Sequence, residues 1–163
     1  MIKPRVIIKA KKAFHLILAA LVVLFFIVLF ALKDDLNTFI SNRMVEQAGY
    51  KTIRQGSKFI DSAFNYRKNG MGFQYTFIEF GAKGCFACNQ MEKVMQEVEK
   101  NYSTRVKVVF YNILLPESQE LMKYFGIAVI PTQILLNVDG KMFFRHTGYI
   151  SADELLFELF KEK

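Results

Sequence analysis

The chain has 163 residues, a formal net charge of +7, and a hydrophobic fraction of 52%. This length accommodates one compact domain plus an appendage, and such a domain buries a core without disulfide staples. The charge does not indicate nucleic-acid binding, because residues 1–32 hold five Lys or Arg and no Asp or Glu, whereas the rest holds 17 Lys or Arg and 15 Asp or Glu. The sequence contains no basic stripe interleaved with aromatic residues, so neither RNA nor DNA is an expected partner.

Residues 13–32 form an apolar run of twenty residues without Lys, Arg, Asp or Glu. A helix of this length spans about 30 Å, the thickness of a bilayer core, and predicts an uncleaved transmembrane helix. A cleaved signal peptide is the alternative, but its apolar stretch is usually roughly 7 to 15 residues long and ends in small residues. Residues 1–12 form a basic arm, so the positive-inside rule predicts a cytoplasmic N-terminus and a periplasmic or extracellular C-terminal domain.

Residues 33–50 read as an amphipathic stalk that continues the helix. Its apolar residues recur at spacings of three and four: Leu36, Phe39, Ile40, Met44 and Ala48. The stalk is a partner interface, a helix resting on the membrane surface, or a spacer packed on its own domain. Residues 51–163 are the predicted folded domain.

The patterns in this domain predict the order helix, strand, helix, strand, helix, strand, strand, helix. The predicted elements are a helix capped by Ser57 and closed by Asn69-Gly70, a strand over 73–80, a helix from Cys88, a strand over 106–111, a helix from Pro116 to Gly126, strands over 132–138 and 141–146, and a last helix. Asp139-Gly140 is a hairpin signal between the last two strands, and Ser151 with Glu154 forms a capping box. The order is typical of an α/β fold with a central mixed sheet flanked by helices.

Cys85 and Cys88 are the only cysteines of the chain, and they lie where a strand, a turn and a helix meet. The positive end of the helix dipole and free N–H groups stabilise a thiolate at Cys85, which we expect to be exposed. Cys88 lies one turn on and faces inward. This arrangement suits a nucleophile that attacks a substrate disulfide and a second thiol that resolves the mixed disulfide.

Three other interpretations of the pair stay open. A zinc half-site needs two further ligands, and the only histidines are His15, within the apolar run, and His146, which we expect to be structural or solvated. A structural disulfide closes a very short loop and adds little stability. The third interpretation is that the pair belongs to a degenerate domain that has lost catalytic activity. Copper binding through Met91 and Met95 is set aside because methionines at helical spacing are usually core, so no metal and no cofactor is expected.

Two further positions are candidates for the same chemistry. Pro131 stands at the start of an apolar strand, where a cis Ile130–Pro131 bond would place a tight bend beside the cysteines. The backbone of Ile130 would then pair with an extended substrate, although a trans proline at a strand edge is the more common case. Glu79 interrupts an apolar strand; if it is buried, its pKa is raised and it can shuttle the proton of Cys88. If that position faces solvent, Glu79 has no such role.

From Ser57 to the C-terminus, roughly two thirds of its length, the sequence resembles the thioredoxin-like superfamily. The stretch Phe77-Ile78-Glu79-Phe80-Gly81-Ala82-Lys83-Gly84-Cys85-Phe86-Ala87-Cys88 is similar to the family's strand, turn and active-site segment, and Phe125-Gly126-Ile127-Ala128-Val129-Ile130-Pro131-Thr132 is similar to the segment that carries its cis proline. The resemblance implies that Cys85 is the nucleophile, Cys88 the resolving thiol, Pro131 cis and Glu79 the buried acid. Phe86 and Ala87 between the cysteines, with Ile130 and Pro131, are the expected substrate-binding residues.

The sequence departs from the family pattern at several positions. Gly84 replaces the tryptophan before the first cysteine, and Phe86-Ala87 replaces Gly-Pro. Phe110 stands where a lysine usually neighbours the buried acid. These departures affect the substrate surface and the redox potential.

Together these features predict a membrane-tethered thiol–disulfide oxidoreductase that acts on protein disulfides as a reductant or electron relay. Its electrons would come from a membrane redox partner. An oxidase or isomerase of the same fold is the alternative; a reduction potential near or below about −250 mV favours a reductant and one near −120 mV an oxidant. A non-catalytic accessory subunit of a membrane complex is the alternative from another class.

Overall fold

The computed structural model describes the backbone of residues 4–161 and the side chains of residues 14–33 and 35–161. The chain divides into two compact units, one up to Leu36 and one from Asn37 onward. The elements in chain order are α1 (Pro4–Ala31), α2 (Lys33–Gln47), α3 (Gly49–Phe64), α4 (Tyr66–Asn69), β1 (Tyr75–Gly81), α5 (Phe86–Tyr102), β2 (Val106–Asn112), α6 (Pro116–Phe125), β3 (Thr132–Leu136), β4 (Met142–Thr147) and α7 (Ala152–Lys161).

The first unit contains α1, which is long and apolar enough to cross a membrane. Its segment Phe14–Ala31 has a mean hydropathy of 3.0, and none of that segment is buried. A fully exposed apolar helix is unfavourable in water, because each large apolar side chain loses about 1.5–3 kcal/mol of burial energy. The side chains of the predicted basic arm, residues 1–12, lie outside the described residues.

The second unit is built on a four-stranded mixed sheet with the strand order β2-β1-β3-β4. β1 runs parallel to β2 and antiparallel to β3, and β4 is antiparallel to β3. β1 therefore has a hydrogen-bonded neighbour on each side, and its residues from Thr76 to Gly81 are buried. The predicted mixed sheet flanked by helices is confirmed.

Alternate residues of β1 and β3 supply two cores, one on each face of the sheet. On one face Ile78, Phe80, Ile134 and Leu136 pack with residues of α3 and α6. On the other face Phe77 and Leu135 pack with residues of α5 and α7, which include Met91, Val94, Val98, Leu155 and Leu159. Glu79 and Gln133 lie on this second face, at the end of the sheet where β1 leads into α5.

Several local predictions are confirmed by the hydrogen bonds of the second unit. Glu154 N donates to Ser151 Oγ at 3.3 Å and Ser151 N donates to Glu154 Oε2 at 3.1 Å, which is the reciprocal pattern of a capping box. Gly126 ends α6 in the left-handed conformation, with φ 62°. The turn around Asp139-Gly140 joins β3 to β4. The capping box, the helix end and the turn could be predicted because each depends on a few residues that are neighbours in the sequence.

The predicted cap at Ser57 is wrong. α3 begins at Gly49, so Ser57 lies inside the helix and does not cap it. Gly56 lets the two helices meet, because a Cβ there would overlap the ring of Tyr124. The helix therefore extends where it packs against α6, and this tertiary contact overrides the local capping signal.

The second half of α2 packs on the domain, which is the spacer arrangement among the three considered. Ser41 is buried, and its Oγ donates to Phe125 O at 3.5 Å. A Cβ on Gly126 would overlap the backbone oxygen of Ser41. Leu36, Phe39 and Ile40 are exposed, so the predicted apolar stripe is not a buried face along its first half. The predicted boundaries at residues 12, 32 and 50 stay predictions.

Replacing Gly126 tests this docking. Gly126→Ala should lower the free energy of unfolding by about 3 kcal/mol, since a left-handed alanine and a clash with Ser41 add together. Gly70→Ala is the matched control, because Gly70 has φ 75° but no heavy atom of the described residues beyond its chain neighbours lies within 4 Å of its Cβ position. It should cost about 1 kcal/mol in the same urea titration. Equal losses in the two variants would contradict the contact between α2 and α6.

Candidate redox site

The segments of the predicted site lie together at one edge of the sheet, where β1 and β4 end and β3 begins. Phe80 of β1 pairs with Thr132 of β3, and Thr132 pairs with Thr147 of β4. Because β1 and β4 both run antiparallel to β3, the ends of β1 and β4 meet the beginning of β3 at this edge. The turn that leads to the cysteines, the proline before β3 and the glycine after β4 therefore lie together.

Cys85 and Cys88 form a disulfide at the start of α5, with their Cα atoms 5.2 Å apart. Cys85 is the N-cap residue, and its Sγ accepts a hydrogen bond from the Cys88 N–H at 3.2 Å. The first turn of α5 holds no acidic residue, so no negative side chain there opposes the positive end of the helix dipole. Cys85 is partly exposed and Cys88 is buried, as predicted for the inner sulfur.

The Ile130–Pro131 peptide bond is cis, as the resemblance implies. Gly148 N donates to Pro131 O at 2.8 Å, and Thr132 Oγ1 donates to Val129 O at 2.7 Å. Within the described range, the backbone N–H and C=O of Ile130 take part in no backbone hydrogen bond. These two groups are available for an extended chain that approaches the site.

The residues between the cysteines and before the cis proline are apolar. Phe86 is 79% exposed and Val129 43% exposed. Ala87 and Ile130 are partly exposed, whereas Pro131 is buried. Three of the four predicted substrate-binding residues, Phe86, Ala87 and Ile130, therefore have side chains that a partner can reach. The fourth, Pro131, is buried and sets the path of the backbone.

Glu79 is fully buried in β1, so the alternative that it faces solvent is wrong. Burial raises the pKa of its carboxyl group to about 8, and a hydrogen bond from Gln133 works in the opposite direction. Gln133 Nε2 donates to Glu79 Oε2 at 3.0 Å. At neutral pH the carboxyl is therefore largely protonated and near the point at which it exchanges protons.

Gly81 brings the buried acid near the inner sulfur. A Cβ on Gly81 would lie 3.5 Å from Cys88 Sγ and 2.9 Å from Phe110 Cε2. Glu79 points to the same face two residues earlier, about 6.6 Å along the strand. Phe110 is the register partner of Glu79 on β2. A cleft of about 290 Å³ opens beside Cys88 and is lined by Ala82, Lys83, Cys88, Asn89, Glu92, Met95 and Phe110.

Among the residues whose positions are described, no group of three or more His, Cys, Asp or Glu could hold a metal ion. His146 Nε2 lies 3.2 Å from Tyr149 O, Met91 is fully buried and Met95 is partly buried. The methionines therefore have the core positions expected of them.

Gln133 was not predicted from the sequence. It is a polar residue in the otherwise apolar stretch of β3 and is fully buried. The available signal was its spacing, two residues after Pro131, which is the same kind of interruption that drew attention to Glu79. The cross-strand register that joins Gln133 to Glu79 needed the structure.

The model of the thioredoxin-like domain family matches residues 65–162, and the chain belongs to this family. The thioredoxin of Borreliella burgdorferi is 24% identical over 87 residues, which cover 51% of this chain and 73% of that protein. The thioredoxin of Rickettsia bellii is 33% identical over 58 residues, 36% of this chain and 53% of that protein. The match thus spans about half of the Rickettsia protein.

Solved structures agree on the fold. The structure of thioredoxin-2, described as a component of malaria parasite protein secretion machinery, has a TM-score of 0.50 and 27% identity, and the match covers 55% of this chain and 84% of that one. The germline-specific thioredoxin Deadhead of Drosophila melanogaster has a TM-score of 0.50 and 20% identity, with 60% and 89% covered. The fold and the CxxC disulfide define a thioredoxin-like protein.

The buried acid predicts a pH-dependent stability. The pKa of Glu79 is raised in the folded state, so the folded chain holds a proton that the unfolded chain releases above about pH 4.5. Stability is therefore lost as pH rises from there towards 8. Glu79→Gln lacks this titration. Its free energy of unfolding minus that of the wild type, measured by urea unfolding, should therefore be more positive at pH 8 than at pH 5 by on the order of 3 kcal/mol.

Glu120→Gln is the control for this prediction, because Glu120 is exposed in its ion pair with Lys123. Its effect should be small and similar at the two pH values. If Glu79→Gln changed the free energy of unfolding equally at pH 5 and pH 8, Glu79 would not be a buried neutral acid.

Proposed function

We propose that the protein is a thiol–disulfide oxidoreductase that acts on disulfides of protein substrates. The observation that carries this proposal is the Cys85–Cys88 disulfide at the start of α5, at the same sheet edge as the cis Ile130–Pro131 peptide bond. Membership of the thioredoxin-like family supports the general chemistry. Glu79 beneath the pair adds an acid–base group.

In the reduced protein, Cys85 is the nucleophile. Its thiolate is stabilised by the Cys88 N–H, which already points at Cys85 Sγ, and by the N-terminus of α5. The thiolate attacks one sulfur of the substrate disulfide, and the substrate's other sulfur leaves as a thiolate with the electron pair of the broken bond. A mixed disulfide between Cys85 and the substrate results.

Cys88 then resolves the mixed disulfide. Its sulfur attacks Cys85 Sγ, the Cys85–Cys88 disulfide forms, and the second substrate thiolate leaves. Two electrons have passed from the protein to the substrate. Cys88 is buried and must lose its proton to react, and Glu79, on the same face of the sheet, is the group that accepts it.

The substrate binds as an extended segment beside the cis peptide. The free backbone groups of Ile130 pair with the substrate backbone in the manner of an added strand. Phe86 and Ala87 supply apolar contact on the other side of the disulfide, and Pro131 fixes the bend. Backbone pairing combined with an apolar surface favours unfolded or flexible protein segments over small polar thiols.

The direction that we propose is reduction. The residues between the cysteines, Phe86 and Ala87, carry no cation that would over-stabilise the thiolate and make the pair a strong oxidant. After each reaction the Cys85–Cys88 disulfide of the protein must be reduced again, and we propose a membrane redox partner as the source of these electrons. An oxidase or isomerase shares the same site and differs in potential.

We further propose that α1 anchors the protein in a membrane with the second unit on the periplasmic or extracellular side. The support is the exposed apolar segment Phe14–Ala31 and the excess of Lys and Arg before it. Disulfide chemistry is favoured in such oxidising compartments. The anchor also brings the site to a membrane reductant.

Substitution of single cysteines tests the chemistry. Purified full-length protein in mild detergent should reduce insulin disulfides in the presence of dithiothreitol, and Cys85→Ser should fall to the uncatalysed rate because the nucleophile is lost. Cys88→Ser should instead accumulate a mixed disulfide with its client, since resolution is blocked. The readouts are insulin turbidity and non-reducing gels. An inactive wild-type protein, together with a Cys88→Ser variant that traps no client, would favour a non-catalytic subunit of a membrane complex.

Thiol labelling tests the topology. A membrane-impermeant maleimide added to reduced intact cells should label Cys85 of the full-length protein, because the site faces away from the cytoplasm. A cytoplasmic thiol protein serves as the negative control, and Cys85→Ser shows which sulfur reacts. Labelling that requires cell lysis would place the domain in the cytoplasm and refute the proposed orientation.

A further inference from the structure

One row of side chains crosses the sheet beside Cys88. Phe110, Glu79, Gln133 and His146 are register partners on β2, β1, β3 and β4. Such partners project to the same face with Cβ atoms about 5 Å apart. The row passes from a half-exposed ring through two fully buried polar side chains to a partly exposed imidazole. A buried pair of polar groups in the middle of a sheet needs a physical reason.

The two polar side chains of this row are incompletely paired. Gln133 Nε2 donates to Glu79 Oε2 at 3.0 Å, but Glu79 Oε1 and Gln133 Oε1 are buried and have no hydrogen-bond partner among the residues that the structure describes. Leaving a buried acceptor unpaired costs about 1–3 kcal/mol, whereas an apolar residue at position 133 would leave no amide oxygen to satisfy. The pair is therefore poorly explained by stability alone.

A glutamine amide has a property that suits a carboxyl group which gains and loses a proton. Its N–H group donates to the carboxylate, and after a half-turn of the amide its oxygen accepts from the protonated carboxyl group. One side chain thus satisfies both protonation states of Glu79 without moving the backbone. A leucine or methionine satisfies neither.

We propose that Gln133 is a positioning residue for proton transfer between Cys88 and Glu79. The inference rests on the proposed function, in which Cys88 attacks the mixed disulfide. As its sulfur bonds to Cys85 Sγ, the Cys88 proton passes to the Glu79 carboxylate, and the substrate thiolate leaves with the electrons of the broken S–S bond. The Gln133 amide then turns from donor to acceptor and holds the protonated acid in place.

The other groups around Glu79 do not replace Gln133. Cys88 and Glu92 of α5, and Lys83 before it, line the cleft that Phe110 also borders. Phe110 presents an apolar ring from β2, and His146 on β4 lies beyond Gln133. Burial pushes the pKa of the carboxyl upward, and the Gln133 hydrogen bond pulls it back. Gln133 therefore keeps the acid closer to neutral pH, where it can take up and release a proton.

The test compares Gln133→Met with Leu135→Met in the reduced full-length protein in detergent. Leu135 is also fully buried and lies two residues along β3 on the same face, so it controls for repacking. The Glu79 carboxyl is titrated by infrared spectroscopy, with its band assigned by Glu79→Gln. We expect Gln133→Met to raise the midpoint by at least about one pH unit, a tenfold smaller ionised fraction at pH 7, and Leu135→Met to leave it unchanged.

The second readout is the rate at which Cys88 resolves a preformed mixed disulfide at Cys85, followed against pH. We expect the midpoint of this profile to move upward together with the Glu79 titration in Gln133→Met. Gln133→Leu repeats the comparison if the methionine variant does not fold. An unchanged Glu79 midpoint, an equal shift in Leu135→Met, or an infrared shift without a matching shift of the rate profile would each overturn the proposal.

These outcomes separate the inference from the proposed function. If the wild-type protein resolves no mixed disulfide at any pH, the proposed oxidoreductase activity fails, whatever the infrared titration shows. If the wild-type protein resolves it and Gln133→Met does so with an unaltered pH profile, the activity stands and the role of Gln133 fails.

Discussion

The position of β1 is the constraint on which the site depends. This strand is hydrogen-bonded to β2 on one edge and β3 on the other, and its side chains from Thr76 onward are buried. It cannot shift without unpairing two strands and opening both cores. The turn after Gly81 and the disulfide that follows therefore have a fixed origin, and α5, packed through Met91 and Val98, fixes the other end. In the proposed function, a nucleophile held this way needs little reorganisation before it reacts.

β1 makes the site rigid, but it also carries Glu79, whose carboxyl group destabilises the fold when it ionises. A carboxyl group in a fully buried strand destabilises the fold once it ionises, and neither Phe110 nor any other neighbour described above supplies a compensating cation. Within the described part of the chain, Gln133 is the side chain that hydrogen-bonds to this carboxyl group. A group that weakens the fold at the pH of its own titration is usually kept for chemistry, because an apolar residue would pack there without this penalty.

The sequence was most informative where structure depends on near neighbours. The capping box at Ser151, the end of α6 at Gly126 and the helix after the cysteines each follow from a few adjacent residues. The cap predicted at Ser57 was wrong because α3 packs against α6, where Gly56 meets the ring of Tyr124, and no local pattern contains this contact between helices. Gln133 went unnoticed for the same reason, since its meaning lies in a cross-strand register. The burial of Glu79 needed the sheet, because a lone carboxylate in a strand is equally compatible with a solvent-facing position.

The segment between α6 and β3 shows how the rest of the fold supports the cis peptide bond. At its beginning, Arg145 Nη2 donates to Gly126 O at 2.9 Å, and the backbone of Ser41 packs against Gly126. At its end, Gly148 N holds Pro131 O. Both ends are thus tied to other elements, while the backbone of Ile130 between them stays free of such bonds. For the substrate binding that we propose, a peptide group that is immobilised by its neighbours and itself unpaired loses little entropy when it pairs with an added strand, which favours binding through the backbone and tolerance of varied side chains.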